Sequence, residues 1–409
     1  MNETKQSDKW KRNAAFFIAG QFLSMFGSML VQYAVTWHIT LETRSGGVMT
    51  IFTCAALLPM VFVSPFAGVW ADRYNRKNLV NISDGAIALV TLAVAVLYFF
   101  DIRSVWVLLA AVMARSVGQG VQQPAASALI PQMVPHEHLA RFNGLQSAAQ
   151  SLTMFAAPMA SGALLTFLPL EYIFLIDIAT AAIGIAIVFF CVKVAGVPKK
   201  EKRESGVKAY FHEITEGFRY IGKTRWLKTL FIAFVLFSIL VSPTAMLTPL
   251  QVTRSFGGDI WRLTAIELIF AIGMTAGGLV LSAWGGFKNK FSTIIFAWLV
   301  CGITVVLLGV VPNFWIYLGV MLLCGFILPF FNTTSMTLMQ TNIPQELMGR
   351  VLSVTTMFSG LAMPLGMALF GPLSDLVQIE WLLVATGVAI LFGTLVLRGR
   401  KEFKAVVSG

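Results

Sequence analysis

The sequence predicts an all-α integral membrane protein with 12 transmembrane helices in two pseudo-symmetric six-helix bundles. Three observations predict this fold class. Hydrophobic residues make up 57% of the 409 residues and charged residues only 12%, which leaves too little polar surface for a water-soluble globule of this length. Apolar stretches long enough to cross a hydrocarbon layer of about 30 Å occupy most of the chain. One basic, polar segment near the middle separates them into two groups of six.

The predicted spans follow one another through short polar connections, and each has the length and hydropathy of a membrane-crossing helix. By residue number they are 14–39, 48–70, 79–100, 104–130, 145–168, 172–192, 227–252, 263–284, 292–311, 314–339, 351–374 and 381–397. The first residues are polar and basic, and the apolar run that follows them is too long for a signal peptide and lacks a small-residue cleavage site, so we expect the start of the chain to be retained.

The predicted organisation has an N-terminal bundle over 1–192, a cytoplasmic linker over 193–226 and a C-terminal bundle over 227–409. Within the linker, apolar residues recur at helical spacing between Lys, Glu and Arg. This pattern predicts an amphipathic helix on the inner membrane surface. The linker is expected to act as a tether between the bundles or as a regulatory element.

The two halves share a sequence pattern, which indicates an internal duplication. The pattern Pro-x-Glu-x-x-x-Arg begins at Pro135 and again at Pro344, an offset of 209 residues. The same offset relates Gly68 to Gly277. Many secondary transporters consist of repeated halves of this kind, so the repeat supports the two-bundle prediction.

The net charge of +11 is explained by membrane topology. With both termini in the cytoplasm, 25 of the 30 Lys and Arg residues fall in inner segments, four fall outside and Arg115 lies within a span. This distribution follows the positive-inside rule. The basic excess is therefore expected to face anionic lipid headgroups, and no nucleic-acid partner is predicted.

The remaining reactive side chains predict neither a metal site nor a cofactor site. The four cysteines lie inside apolar spans without paired spacing, and the four histidines do not cluster with acids at ligand spacing. No glycine-rich phosphate loop followed by Lys-Ser or Lys-Thr is present. The sequence therefore excludes an ATP-driven pump within this chain and predicts no enzymatic activity.

The loop after the second span reads Gly-Val-Trp-Ala-Asp-Arg-Tyr-Asn-Arg-Lys. It resembles the signature of the major facilitator superfamily, Gly-x-Leu-Ala-Asp-Arg-x-Gly-Arg-Lys, with Trp70 and Asn75 as the two departures. The resemblance implies a gate or charge relay, in which a small glycine permits close helix packing and an acid holds a breakable charge-assisted contact. The residues that match this role are Gly68, Asp72, Arg73, Arg76 and Lys77.

Residues in two further spans carry the resemblance. Arg115 lies near the middle of span 4, where an unpaired guanidinium is costly, and it resembles the arginine of helix 4 in the same superfamily. We therefore add it to the charge relay. In span 5, Pro158 followed by Gly162 resembles the antiporter motif of drug exporters.

Most of the chain is similar to one branch of this superfamily, the bacterial macrolide-efflux (Mef-like) exporters among the drug:proton antiporters. The similar segments are spread over both halves and include Trp10-Lys11-Arg12, Leu129 to Leu139, Gly273 to Gly278, Gly285-Gly286-Phe287 and Leu347 to Val351. The resemblance implies a proton-coupled secondary transporter that exports lipophilic drugs, macrolide-like or tetracycline-like, by alternating access.

Proton coupling requires a carboxyl group that binds a proton on one side of the membrane and releases it on the other. Glu267 is the first candidate, because the resemblance places span 8 beside a central cavity. The alternative is that Glu267 caps its helix or pairs with Arg262. Asp84 and Asp177 are further candidates, and a structural ion pair with arginine is the competing interpretation for each. Asp375 is interpreted as a loop residue.

The resemblance also implies that spans 1, 4, 7 and 10 line the substrate cavity. These spans offer amides and hydroxyls among aromatic residues, which suits a bulky amphiphile held by few polar anchors. The candidates are Gln21, Gln32, Tyr33, Gln119, Gln123, Ser242, Thr244 and Asn332.

Two other functions remain open on the sequence. The same scaffold would serve an exporter of an endogenous metabolite such as a siderophore or a lipid. A channel or receptor is a different class of protein, which the internal repeat and the charged loop after span 2 disfavour. The expected partners are a small lipophilic substrate, protons and membrane lipids, and we expect a monomer.

Overall fold

The computed structural model describes the backbone of residues 2–193 and 207–399, and the side chains of these ranges except 2–9, 72, 136, 140, 207–213, 345 and 346. Every regular element within those residues is helical. The first six α-helices are α1 (Asn2–Thr43), α2 (Gly46–Arg73), α3 (Arg76–Phe99), α4 (Val105–Met133), α5 (Leu139–Phe167) and α6 (Leu170–Ala186). A 3-10 turn, His136–His138, precedes α5, and a π-helical segment, Ile187–Cys191, follows α6.

Eight further α-helices complete the described part of the chain. They are α7 (Val207–Lys223), α8 (Arg225–Met246), α9 (Thr248–Ser255), α10 (Ile260–Trp284), α11 (Lys290–Val310), α12 (Phe314–Asn342), α13 (Gln345–Leu376) and α14 (Ile379–Gly399). The predicted span 7 is divided into α8 and α9 by a break at Leu247, whose backbone N–H still donates to the Pro243 carbonyl.

Eleven stretches of the described residues are long and apolar enough to cross a membrane, whereas the sequence predicted twelve. The difference is span 5. Its helix, α5, has 29 residues, which is long enough to cross a bilayer. Its first half carries the polar residues Gln146 and Gln150, so α5 is less apolar than the eleven other spans.

The chain forms two compact units. Unit 1 comprises Met1–Ile39 and Ala55–Tyr210, and unit 2 comprises Thr40–Cys54 and Phe211–Gly409. The segment Thr40–Cys54, which contains the end of α1 and the start of α2, therefore belongs to unit 2. The predicted bundle boundaries at 192 and 227 remain a prediction.

In unit 1, α3 packs against α4 and α6. Its buried face includes Asp84, Ile87, Thr91, Val94 and Tyr98, which recur at intervals of three and four residues as one face of an α-helix requires. Two of these five side chains are polar. The interior of unit 1 therefore contains a polar stripe within an otherwise apolar contact.

In unit 2, glycines bring α10 and α12 into close contact. The pair Gly273 and Gly277, four residues apart, faces the backbone of Leu322 and Phe326, and Gly325 faces Phe270 on α10. A Cβ atom at Gly277 would overlap the carbonyl oxygen of Phe326. Small residues with this spacing let two membrane helices approach until their backbones touch.

Helix α7 occupies the second part of the predicted linker, whereas residues 194–206 lie outside the described residues. The helix contacts the start of α13. Gly217 lies against the Arg350 carbonyl, and the Arg350 guanidinium pairs with Glu216 at 2.6 Å. The Phe218 ring contacts Phe358 at a centroid distance of 5.6 Å. These contacts fix α7 to unit 2.

Candidate functional site

Arg115 on α4 and Asp177 on α6 form an ion pair inside unit 1. The guanidinium Nη1 lies 2.6 Å from Asp177 Oδ2, and the two residues are only 8% and 1% exposed. The Thr91 hydroxyl of α3 donates to the same carboxylate oxygen at 3.1 Å and also contacts Arg115. Both charges are therefore paired, and the predicted arginine partner of Asp177 is present.

Asp84 lies on the same buried face of α3 but has different partners. It is 5% exposed. The Gln21 amide donates to Asp84 Oδ2 at 3.5 Å, and the Ser24 hydroxyl donates to the same carboxyl group. Gln21 in turn accepts a hydrogen bond from the Gln122 amide of α4 at 2.5 Å. Among the described residues, the partners of Asp84 are thus an amide and a hydroxyl, and the arginine partner that the sequence suggested is not found.

The charges in this region do not balance. Asp84 and Thr91 are seven residues apart, which is about two helical turns, so both carboxylates approach one face of α3. The region contains two buried carboxyl groups and one guanidinium, that of Arg115, which is paired with Asp177. An ionised carboxylate without a cationic partner is expensive inside a membrane protein. Asp84 is therefore the buried acid of this cluster for which the described residues provide no cationic partner.

The loop between α2 and α3 is held by the basic residues of the predicted signature. Asn75, which departs from the signature, caps α3 by accepting from the backbone N–H of Lys77 at 3.0 Å. The Arg76 guanidinium donates to the Ala128 carbonyl of α4 at 2.7 Å. Lys77 Nζ donates to the carbonyls of Phe189 and Val192, at 2.7 and 2.8 Å. Lys77 thus satisfies carbonyl groups at the end of the π-helical segment, where helical partners are missing, and Arg76 fixes the loop to α4.

Two other members of the signature give a different outcome. A Cβ atom added at Gly68 would meet no atom within 4 Å, so the expected close helix packing at Gly68 was wrong for the described residues. A larger residue at position 68 would therefore fit without a steric clash. Arg73 is exposed, and the side chain of Asp72 lies outside the described residues. The relay role of this loop remains a prediction.

The predicted cavity residues differ in exposure. Three are exposed, namely Gln32, Gln123 and Asn332, and three are half-buried, namely Gln21, Tyr33 and Gln119. Ser242 and Thr244 are buried. The Ser242 hydroxyl donates to the Ile239 carbonyl at 2.8 Å and faces Gly366 of α13, so Ser242 serves helix packing in this structure.

The remaining candidates lie apart from the Asp84 cluster. Glu267 is half-buried on α10, while Arg262 pairs with Asp259 at 3.0 Å. Pro158 and Gly162 are both buried in α5. The residues that the structure describes contain no group of three or more His, Cys, Asp or Glu side chains that could hold a metal ion.

Asp375 is a structural residue that the sequence interpretation missed. Its carboxylate accepts from the backbone N–H groups of Gly46 and Gly47 and from the Ser45 hydroxyl, each at 2.8 Å. Arg254 donates to the same carboxylate at 2.9 Å. Asp375 therefore caps the N-terminus of α2 within unit 2, where a negative charge also interacts favourably with the helix dipole. A cavity of about 500 Å³ lies beside Arg254 and Asp375 and is lined by none of the predicted cavity residues.

Comparisons with known proteins identify the relatives of this chain. It is 27% identical to macrolide efflux protein A of Streptococcus pyogenes over 387 residues, which cover 94% of this chain and 95% of that protein. It is 28% identical to macrolide efflux protein A of Enterococcus faecalis, over 76% of this chain and 96% of that protein. It is also 26% identical to the multidrug efflux pump Tap of Mycolicibacterium fortuitum, over 85% of this chain and 86% of the pump.

Solved structures share the fold at lower identity. A bacterial homologue of the iron transporter ferroportin, in an inward-facing state, aligns with a TM-score of 0.71 and 16% identity over 95% of this chain and 99% of that one. The nucleoside transporter NupG aligns with a TM-score of 0.69 and 14% identity over 95% of this chain and 100% of that one. The profile described as the Major Facilitator Superfamily matches residues 17–367. The chain therefore belongs to the Major Facilitator Superfamily and is a multi-pass membrane transporter of small molecules, related to efflux proteins.

Proposed function

We propose that this transporter exports lipophilic drugs from a bacterial cell across its plasma membrane in exchange for protons. The observation that carries the proposal is the similarity to macrolide efflux protein A, which extends over 94% of the chain and so includes both predicted halves. The similarity to a multidrug pump supports a substrate class of bulky amphiphiles, macrolide-like or tetracycline-like. Both termini are placed in the cytoplasm, and the protein acts as a monomer.

The proposal places the transported proton on Asp84, ahead of Glu267 and Asp177. The charge of Asp177 is balanced by Arg115 at 2.6 Å, whereas Asp84 is buried against an amide and a hydroxyl. Asp84 can therefore bind and release a proton without breaking an ion pair of the kind that holds Asp177. Inward movement of protons down their electrochemical gradient supplies the energy, of which the membrane potential contributes about 2.3 kcal/mol per net charge moved and per 100 mV.

The proposed substrate path runs past the polar side chains that are exposed within spans. Gln32, Gln123 and Asn332 lie inside membrane-crossing helices and are exposed. Polar side chains within a membrane helix usually face a water-filled cavity or the protein interior and not lipid. We therefore propose that each of these three residues contacts the drug during transport. Few polar anchors in an otherwise apolar lining suit a bulky amphiphile.

Drug accumulation in bacterial cells with and without the protein tests this function. Erythromycin, tetracycline and ethidium should each be measured, with and without an uncoupler that dissipates the proton gradient. We expect lower accumulation of at least one compound in cells that contain the protein, and we expect the uncoupler to remove the difference.

A matched pair of variants strengthens this test. Asp84→Asn removes the proposed proton site, whereas Asp101→Asn changes an aspartate whose side chain is 86% exposed in the turn after α3. At equal amounts in the membrane, the first variant should lose export and the second should retain it. Equal accumulation of all three compounds with and without the natural protein would reject drug export and favour an endogenous metabolite as the substrate.

A further inference from the structure

Asp84 is one end of a chain of hydrogen bonds that crosses three helices of unit 1. Gln21 of α1 donates through Nε2 to the Asp84 carboxylate of α3. Gln122 of α4 donates through Nε2 to Gln21 Oε1. Both glutamines are half-buried, and Gln123, the next residue on α4, is exposed. The chain therefore connects a buried carboxyl group to Gln122, a half-buried residue of α4 beside the exposed Gln123.

The direction of these hydrogen bonds depends on the proton of Asp84. An ionised carboxylate only accepts hydrogen bonds, whereas a protonated carboxyl group also donates one. A carboxamide has a donating and an accepting end. When a proton from water bonds to Asp84 and the new O–H group donates to Gln21, Gln21 must turn its Oε1 toward Asp84. Its Nε2 then faces Gln122, which must turn as well to offer Oε1.

We propose that Gln21 and Gln122 are positioning residues whose side-chain amides reverse direction when Asp84 gains a proton. The protonation state of Asp84 thereby determines which end of the Gln122 amide faces a substrate. The inference rests on the proposed proton coupling at Asp84. It adds a device through which the proton and the substrate exclude each other without contacting the same carboxyl group.

The reversal changes what Gln122 offers to a substrate. With Asp84 ionised, Gln122 Nε2 is engaged by Gln21, so its Oε1 is the end directed away from the chain. This state accepts a hydrogen bond from a substrate that carries a donor, such as a protonated amine. With Asp84 neutral, Gln122 directs Nε2 away and opposes the same ammonium group. The substrate class favoured by this device is therefore an amphiphile with a cationic amine.

The charged groups around Asp84 are accounted for by other contacts. Arg115 of α4 and Asp177 of α6 bind each other. Lys77, on α3 itself, donates to two carbonyls at the inner end of the helix, near Cys191 of the π-helical segment. From α1, the groups at Asp84 are the Gln21 amide and the Ser24 hydroxyl. A proton-dependent change that is lost in Asp84→Asn is therefore assigned to Asp84.

Infrared difference spectroscopy of the purified, lipid-reconstituted protein tests the device without a substrate. On a change from alkaline to acidic pH, the natural protein should gain a protonated carboxyl band together with a shift of glutamine side-chain bands, identified by ¹⁵N-labelling of glutamine. Asp84→Asn should lose both signals. Gln122→Leu should keep the carboxyl band and lose most of the glutamine shift. A carboxyl band at Asp84 with unchanged glutamine bands in the natural protein would overturn the proposal.

A binding measurement then connects the device to a ligand. Ethidium fluorescence should report an affinity that rises by about tenfold from acidic to alkaline pH, a typical size for coupling between two sites. Gln122→Leu should reduce this pH dependence to less than about twofold, whereas Gln378→Leu, in the exposed turn before α14, should retain it. An unchanged pH dependence in Gln122→Leu would overturn the device. Absence of ethidium binding in every protein, with the infrared signals intact, would reject ethidium as a substrate and leave the proton device supported.

Discussion

At the scale of single residues, the Arg115–Asp177 pair contributes charge balance in the interior of unit 1. Arg115→Met leaves a buried carboxylate without its cation, which costs about 3–5 kcal/mol in buried pairs. We expect a clear loss of thermal stability in the purified protein. The double variant Arg115→Met with Asp177→Asn removes both charges and should recover most of that loss. A double variant as unstable as Arg115→Met alone would contradict this interpretation.

The second prediction at this scale distinguishes Asp84 from Glu267, the first candidate of the sequence analysis. Asn and Gln preserve the size and most hydrogen bonds of the acids but bind no proton in this pH range. In everted vesicles energised by a proton gradient, Asp84→Asn should abolish drug uptake while ethidium still binds. Glu267→Gln should retain gradient-driven uptake. The opposite result would return the proton-carrying role to Glu267.

At the scale of elements, the N-terminus of α2 depends on a residue from another helix. Asp375 accepts two backbone hydrogen bonds there, from Gly46 and Gly47. Asp375→Ala should therefore destabilise the protein by about 0.5–2 kcal/mol, the usual cost of losing a helix cap. Hydrogen exchange followed by mass spectrometry should show faster exchange in the peptide that contains Gly46. Unchanged exchange in that peptide would show that the cap contributes nothing.

The contact between α10 and α12 offers a test with neighbouring residues. A Cβ atom at Gly277 would overlap the Phe326 carbonyl, whereas one at Gly278 would meet nothing within 4 Å. Gly277→Ala should cost about 1–3 kcal/mol, as overpacking usually does. Gly278→Ala should be neutral or slightly stabilising, because alanine favours helix over glycine. The measurement is thermal unfolding of both purified variants, and equal midpoints would contradict the packing described here.

At the scale of the whole molecule, hydropathy predicted the helices well because it is a local property of each segment. The basic residues of the loop after α2 were recognised from the motif, but the carbonyl groups that they bind lie far away in sequence, since Arg76 binds Ala128 and Lys77 binds Phe189. Long-range partners were not predictable. Asp375 was interpreted as a loop residue because its partner Gly46 is 329 residues away. The polar environment of Asp84 depends on Gln21, which is 63 residues away, and no local pattern indicates that contact.

Local sequence information was not sufficient to classify α5 as a membrane span or to predict the packing around Gly68. The α5 segment has the length of a span but a more polar first half, so its number of apolar residues alone does not classify it. Gly68 matches the family signature, yet the space beside it is open, because packing depends on the positions of neighbouring helices and not on the motif. Sequence patterns thus predict which residues occupy a loop or a helix more reliably than which atoms they contact.

The last prediction concerns the orientation of the chain in the membrane. The excess of Lys and Arg in alternate connections predicts that the α10–α11 turn, which contains Lys288, is cytoplasmic and that the α13–α14 turn, which contains Gln378, is external. Lys288→Cys and Gln378→Cys should each be prepared in a protein whose four natural cysteines are replaced. A membrane-impermeant thiol reagent should label only Gln378→Cys in intact cells and both variants after permeabilisation. Labelling of Lys288→Cys in intact cells would contradict the positive-inside orientation.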